Sequence, residues 1–278
     1  MKHQSSSVHQ FKSLNDCAFT AIEYSQLKFG SDKIARKFGY ELAVDFFSKH
    51  SDTLLANNCV VIPSPYNHVK NAATIMTEHF INKLNELLVA ANGNHVEYSI
   101  IHRKVSYISD YGFLSKEKRR GLIDNDSFYL NKEFYKDKVL IFVDDVKITG
   151  THEDKLVEIL AKNKIKNDCF FLYFAEYKGS DPKIEAALNF AGINTLEDYI
   201  KLFCDYDHNV IVRPIKYLLG SKDSIGIKEF FAHAAKHRIH HKRLMEVYYG
   251  ALGEGYYKIP NYQTNFKILS DVVKGIKL

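Results

Sequence analysis

The sequence predicts an α/β fold: a mostly parallel twisted sheet flanked by N-terminal and C-terminal helical segments. Three observations predict it. Short unbroken apolar runs, such as Cys59-Val60-Val61-Ile62 and Val139 to Val143, have the character of strands buried on both faces. These runs alternate with stretches of helical periodicity, and strands separated by helices pair in parallel. The chain has 278 residues, 46% of them hydrophobic, which suffices for a sizeable core without staples.

Residues 1–10 are polar and are expected to be frayed. From Leu14 to Phe47 apolar residues recur at helical steps (Phe19, Ile22, Leu27, Ile34, Phe38, Leu42, Phe46). Gly30-Ser31-Asp32 divides this stretch into two helices, with Ser31 or Asp32 as N-cap. The first strand, Cys59–Ile62, ends in Pro63-Ser64-Pro65-Tyr66-Asn67, which two prolines hold out of helix. A helix from Val69 to Val89 follows and stops at Asn92-Gly93-Asn94. His95 to Lys104 reads as a second strand, Val139–Val143 as a third, residues 153–164 as a helix, and Phe170–Phe174 as a fourth strand. Beyond Gly179 the pattern is mainly helical, best at Ile184–Phe190, Leu196–Cys204 and Ile227–Leu252; Asn209–Pro214 reads equally as strand or connector. This divides the chain into an N-terminal helical segment (1–50), an α/β core (51–178) and a helical extension (179–278).

Composition excludes several classes. The balance of 38 basic and 33 acidic residues is too mild to announce a nucleic-acid binder. No stretch is apolar enough to span a membrane, and the polar N-terminus does not read as a signal peptide. Cys17, Cys59, Cys169 and Cys204 lack metal-ligand or redox spacing, so they are read as reduced thiols of a cytoplasmic protein.

The informative stretch runs from Val139 to Glu153: four apolar residues and a fifth, then Asp144-Asp145, then Thr149-Gly150-Thr151-His152 leading into a helix. A buried strand delivers two carboxylates to the carboxyl edge of the sheet, where ligands of open α/β sheets bind. The N–H groups of the turn and the helix start favour an anion such as phosphate. Gly150 permits close backbone approach, and Thr149 and Thr151 supply hydroxyls. The carboxylates suit hydroxyl groups or Mg²⁺. Hydroxyls beside a phosphate describe a ribose 5-phosphate. Competing readings are a capped strand-to-helix turn with no ligand, and a phospho-acceptor domain. The latter needs an acid at another strand end opposite a lysine, and no convincing set is present.

This stretch resembles the PRPP-binding motif of the type I phosphoribosyltransferases, the run Leu114 to Arg119 followed by Phe128 is loosely similar to the ComF-like subgroup, and the resemblance covers about residues 55–178. It implies that Asp144 and Asp145 contact the ribose hydroxyls and that Thr149, Gly150, Thr151 and His152 hold the 5′-phosphate. It places a pyrophosphate loop at Pro63, Ser64, Pro65 and Tyr66, with Arg103 near the diphosphate. The 34 residues between the second and third strands would form a basic lid, with Lys104, Lys116 and Arg119 as diphosphate cations. Mg²⁺ would be held mainly by the substrate, with Asp144 as the candidate protein ligand. The implied activity is phosphoribosyl transfer from PRPP to a nitrogen acceptor, a purine or pyrimidine base, by a homodimer with a hood built from the flanking helices. Three positions depart from the motif: Lys147 stands for an apolar residue, Ile148 for Thr or Ser, and His152 for the Thr or Ser that closes the loop. These departures also admit a regulatory module that binds PRPP or a nucleotide without turnover. Finally, His233, His237 and His241 fall at helical spacing among Lys236, Arg238, Lys242 and Arg243. A solvated basic face is the first reading, an anion or nucleic-acid contact the second, and a metal site the weakest, since flanking cations repel a metal.

Overall fold

The computed structural model describes residues 2–103, 128–129, 131–181 and 183–276. Its main sheet has five strands in the order β1-β7-β6-β2-β3, all parallel. They are β1 (His3–Phe11), β2 (Cys59–Pro63), β3 (Glu97–Tyr98), β6 (Val139–Lys147) and β7 (Cys169–Tyr177). A separate antiparallel pair is formed by β4 (His102–Arg103) and β5 (Phe128–Tyr129). The helices are α1 (Ala21–Lys28), α2 (Asp32–Ala56), α3 (Ala72–Ala90), α4 (Lys132–Tyr135), α5 (Thr151–Lys162), α6 (Ile184–Phe190), α7 (Leu196–Phe203), α8 (Val212–Gly220), α9 (Ser224–Ala234), α10 (Arg238–Gly253) and α11 (Pro260–Gly275). Among the described residues no helix is long and apolar enough to cross a membrane.

Period-two alternation sorts the sheet's side chains onto two faces. Val61, Ile141, Val143, Phe170, Leu172 and Phe174 join the core that includes Tyr24 of α1, Phe38 of α2 and Phe80 of α3. Val60, Ile62, Leu140, Phe142, Phe171 and Tyr173 pack on the other face with Leu156, Val157 and Leu160 of α5. Phe38 stacks on Phe174 with centroids 3.8 Å apart, and Phe142 on Phe171 at 5.0 Å. Helices α7 to α11 surround a second core of their own, which includes Tyr199, Phe203, Ile215, Leu218, Phe231 and Leu244.

The parallel sheet, the division at Gly30-Ser31-Asp32 with Ser31 capping α2, and the placement of β2, α3, β6, α5 and β7 follow the sequence reading. Four expectations need correction. The polar N-terminus is not frayed but forms β1, which pairs with β7 along its length. As an edge strand with mostly half-exposed side chains it has little apolar signature. The second strand shrinks to Glu97–Tyr98 within the sheet, with His102–Arg103 in the separate pair. Asn209–Pro214 is neither strand nor plain connector, because Val212 opens α8. The stretch 227–252 is two helices broken at Ala235–His237, with His237 at the N-cap of α10. His233, His237 and His241 therefore do not share one helix face. No group of three or more His, Cys, Asp or Glu side chains among the described residues is arranged to hold a metal.

Gly39 sets the approach of α2 to α3. A Cβ there would lie 2.5 Å from the Met76 carbonyl oxygen and 2.9 Å from the Phe80 nitrogen, both rigid backbone atoms. Gly39→Val is expected to cost about 1–3 kcal/mol by overpacking, read as a lowered urea midpoint.

The turn between α1 and α2 is tied to the helical extension. Asp32 N–H donates to Asp207 O at 2.8 Å, and Asn209 N–H to Gly30 O at 2.7 Å. His208, between them, is buried. Burial, reinforced by the Arg243 guanidinium, pushes it down to about 3 from 6.5. The folded state therefore holds a neutral ring while the unfolded chain takes up a proton below about pH 6.5. Its contribution is fully present above that pH and is lost as pH falls toward 3. His208→Asn should flatten the fall in unfolding free energy between pH 6.5 and 5 by up to about 1.4 kcal/mol per pH unit, measured by urea denaturation across pH.

Candidate active site

The chain leaves β2 toward β3 at one edge of the sheet and leaves β6 toward β7 in the opposite direction. The carboxyl ends of β2 and β6 thus flank the switch point of the sheet, where such folds form a crevice. A cavity of 620 Å³ lies there. One wall is the turn from Asp144 to Glu153, the second is the loop Ser64–Asn67, and the third comes from the helical extension through Arg213, Lys216 and Tyr217 of α8 and Tyr262 of α11.

The third strand does not end at Val143 as expected but runs on to Lys147, so both aspartates are strand residues. Successive side chains of a strand point to opposite faces. Asp144 is directed to the α5 side, where its Oδ2 lies 3.7 Å from His152 Nδ1 and its side chain is 23% exposed. Its Oδ1 accepts the N–H of Asp145 at 2.9 Å. Asp145 is directed to the α1 side and is 4% exposed. Its Oδ1 accepts the Tyr24 hydroxyl at 3.1 Å and the Val146 N–H at 2.8 Å. Its Oδ2 accepts from Lys28 Nζ at 2.5 Å. Burial first, then the Asp145 carboxylate, pushes the Tyr24 phenol well above its ordinary range, so Tyr24 remains a hydroxyl donor.

The turn behind the acids leads straight into α5. Gly150 is left-handed at φ 73° and caps α5, and its pro-side-chain direction meets only the Lys147 Cε at 3.4 Å. The hydroxyls of Thr149 and Thr151 lie 2.8 Å apart, and Thr151 is buried. The α5 N-terminus carries Glu153 and Asp154 in its first turn. The departures from the motif have structural partners. Ile148 packs against the main core. Lys147 Nζ donates to Glu153 Oε2 at 2.6 Å and to Ser5 Oγ of β1 at 3.0 Å. Glu153 Oε2 also accepts from the Tyr173 hydroxyl at 3.0 Å.

In the opposite loop, Pro63 closes β2 and Ser64 is buried, its N–H donating to Val143 O at 3.0 Å. Ser64, Pro65 and Tyr66 reach the cavity. Arg103 lies in β4, whose side chains are outside the described set, and Lys104, Lys116 and Arg119 lie outside the described residues. Buried Cys59 and Cys169 are no nucleophiles here, since burial pushes their thiols up to about 11 and about 12.

Sequence reasoning missed two contributions. Lys28 and Tyr24, more than a hundred residues from the motif, complete the surroundings of Asp145. Glu254, at the C-cap of α10, accepts the N–H groups of His68 and Val69, each at 2.8 Å, and the Asn67 amide at 3.2 Å, which pins the far end of the loop. Neither has a local sequence signal, because each is brought to the cleft from another helix.

A family model described as PRTase ComF-like matches residues 3–269. The chain belongs to the ComF-like phosphoribosyltransferase family. Its parallel five-stranded sheet with flanking helices is a phosphoribosyltransferase fold, and the match begins within β1 and ends within α11. Likeness to solved structures is slight. A hypoxanthine phosphoribosyltransferase from Staphylococcus aureus is 8% identical, with a TM-score of 0.34 over 51% of this chain and 73% of that one. A hypoxanthine-guanine phosphoribosyltransferase from Schistosoma mansoni, solved with IMP, is 10% identical, with a TM-score of 0.31 over 64% and 84%. Neither carries an argument about chemistry. No curated protein matches the chain.

Lys28 and Asp145 form a buried pair, 16% and 5% exposed at their side chains. Removing one partner leaves the other charge without compensation. Lys28→Met should destabilise the protein by about 3–5 kcal/mol in urea denaturation, and Lys28→Met with Asp145→Asn should recover most of it.

Proposed function

We propose that the cleft binds PRPP and transfers its phosphoribosyl group to a nitrogen acceptor, a purine or pyrimidine base, with release of pyrophosphate. One observation carries this reading: the cleft-facing Asp144, the Thr149–Thr151 turn at the start of α5 and the Ser64–Tyr66 loop all open into one 620 Å³ cavity at the switch point of the sheet. The distribution of groups suits a phosphorylated ribose. The turn's N–H groups and the two threonine hydroxyls take the 5′-phosphate, with His152 beside them. Asp144 accepts from a ribose hydroxyl. The Ser64–Tyr66 loop faces the diphosphate. Tyr217 and Tyr262, on the wall from the helical extension, offer flat apolar surface to a planar base, so that extension serves as the hood.

In the transfer, the acceptor nitrogen forms a bond to C1 while the C1–O bond breaks and its electron pair leaves with pyrophosphate. The protein's part is to align these groups and to stabilise charge that develops between ring and leaving group. Asp144 stands where it can hold the ribose against its C1. Lys104, Lys116 and Arg119 remain candidates for the leaving diphosphate on sequence grounds. Assembly as a homodimer is part of the same proposal.

The family resemblance also implies Mg²⁺. The donors around Asp145 do not fit it: both oxygens already accept from Tyr24, Val146 and Lys28. Asp144 Oδ2 is the one carboxylate oxygen of the pair with no donor within hydrogen-bond distance among the described residues, which suits an ion held mainly by the substrate rather than by a protein cage. No step is therefore assigned to a protein-held ion.

A second reading has specific support. The ammonium on Asp145 and the pairing of Lys147 with Glu153 commit motif positions to internal partners, as suits a module that senses PRPP without turning it over. Calorimetry with PRPP, combined with pyrophosphate release across a panel of bases, separates the two. Release with any base supports the enzyme, and tight binding without release supports the sensor. In either case Asp144→Asn should weaken ribose 5-phosphate binding about 10-fold or more, as expected on loss of a charge-assisted hydrogen bond. Unchanged affinity would remove Asp144 from the sugar site.

A further inference from the structure

We propose that Glu254 is a positioning residue for the diphosphate half of the cleft: its carboxylate, reaching in from the helical extension, holds the backbone of the loop after β2 in the shape that receives pyrophosphate. That role rests on the reading of Ser64–Tyr66 as the diphosphate loop, and it deepens the reading by naming what sets the loop's shape.

The loop is held at its two ends by different parts of the chain. At its start the Ser64 N–H donates to Val143 O of β6 at 3.0 Å. The amide of Asn71, the N-cap of α3, donates to Ser64 O at 3.3 Å and to Pro65 O at 3.4 Å. At its end the extension takes over. Glu254 Oε1 accepts the N–H groups of His68 and Val69, each at 2.8 Å, and Oε2 accepts from the Asn67 amide at 3.2 Å. The Val212 N–H, at the start of α8, donates to Lys70 O at 3.0 Å. Two successive main-chain N–H groups on one carboxylate oxygen are charge-assisted bonds, and together they orient the peptides that they share. Glu254 is 8% exposed and lines the same cavity as Ser64, Pro65 and Tyr66. Its bonds are therefore made largely out of water, where they are stronger. The helix that it ends does not call for a carboxylate: Glu254 is the C-cap of α10, where the aligned carbonyls disfavour negative charge. Its backbone is anchored, since the Glu254 N–H donates to Gly250 O at 2.9 Å and Gly255, at φ 72°, turns the chain into buried Tyr256. The two surfaces also fit closely. A Cβ on Gly253 would overlap the His68 ring, and one on Gly250 would lie 3.0 Å from Val69 Cγ2. These small residues in the last turn of α10 let the loop approach near enough for the carboxylate to reach its N–H groups.

The test uses the full chain as wild type, Glu254→Ala, Glu254→Gln and Gly253→Ala. Pyrophosphate with Mg²⁺ and ribose 5-phosphate are separate calorimetric probes, and amide hydrogen exchange over residues 67–69 reads the loop itself. Glu254→Ala should weaken pyrophosphate about tenfold, keep ribose 5-phosphate within about twofold, and speed exchange of the His68 and Val69 amides about tenfold or more. Glu254→Gln keeps one carbonyl oxygen for both N–H groups and should stay within about threefold of wild type on all three readouts. Gly253→Ala leaves the carboxylate in place but forces His68 aside. It should weaken pyrophosphate about fivefold with ribose 5-phosphate unchanged, and it decides the matter if Glu254→Ala does not fold. A folded Glu254→Ala that binds pyrophosphate as wild type does, or loses both probes equally, overturns the proposal. Tighter pyrophosphate binding by Glu254→Ala overturns it as well, because the carboxylate would then compete with the ligand for the loop. If Glu254→Ala does not fold, wild-type pyrophosphate affinity in Gly253→Ala overturns it. If pyrophosphate binds neither wild type nor variants, the diphosphate reading of the loop fails by itself. Unchanged exchange in Glu254→Ala would then overturn the hold on the loop too, and faster exchange would support it.

Discussion

The alternation of side chains along β6 is the constraint on which the site depends. Because the strand continues to Lys147, its two aspartates cannot share a face. One enters the side covered by α5 and meets the cleft beside His152. The other enters the side covered by α1 and is buried against Tyr24 and Lys28. A motif that reads as a pair of equivalent acids becomes one cleft-facing carboxylate and one carboxylate neutralised from within. The chemical asymmetry follows from strand alternation and from the helix that covers each face, before any ligand is considered.

The same strand explains why the cleft is where it is. β6 is central, flanked by β7 and β2, and the chain departs from β2 and β6 in opposite directions. Loops that follow the two strands diverge and leave a crevice between them. The helical extension then roofs it. Its core also takes in Phe29 from the α1–α2 turn, and Glu254 ties it to the loop after β2 through two backbone N–H groups. The loop that faces the cleft on one side is thus held on its other side by a carboxylate from the roof. The loop is joined to the roof by these hydrogen bonds and by packing, since Val69 lies against the extension's core.

The N-terminal segment has a larger part than its polar composition suggests. β1 completes one edge of the sheet, and its Ser5 joins Lys147, Glu153 and Tyr173 in a cluster behind the turn. α1 delivers Lys28. Residues far from the motif in sequence therefore support the turn from one side and pair with Asp145 from the other. The departures Lys147 and Ile148 have places in this arrangement, one in a polar cluster and one against the core.

The fold class and the position of the cleft at the end of β6 were legible because they are written in local chemistry. Unbroken apolar runs require burial on both faces, Gly150 marks a left-handed cap, and acids followed by a Thr-Gly-Thr turn mark the passage from strand to helix. What local chemistry does not carry is the identity of a partner from another element. β1 was hidden because an edge strand with half-exposed side chains needs no apolar signature. The break at Ala235–His237 was hidden because helical periodicity continues through it. Lys28 looks like any surface lysine at the end of a helix until the packing of α1 against the sheet brings it within 2.5 Å of Asp145. The sequence by itself determined that two carboxylates and a Thr-Gly-Thr turn stand at the edge of a parallel sheet. Only the tertiary structure decided that they face opposite ways and that one is already paired, because that depends on how far β6 extends and on which helix covers each of its faces.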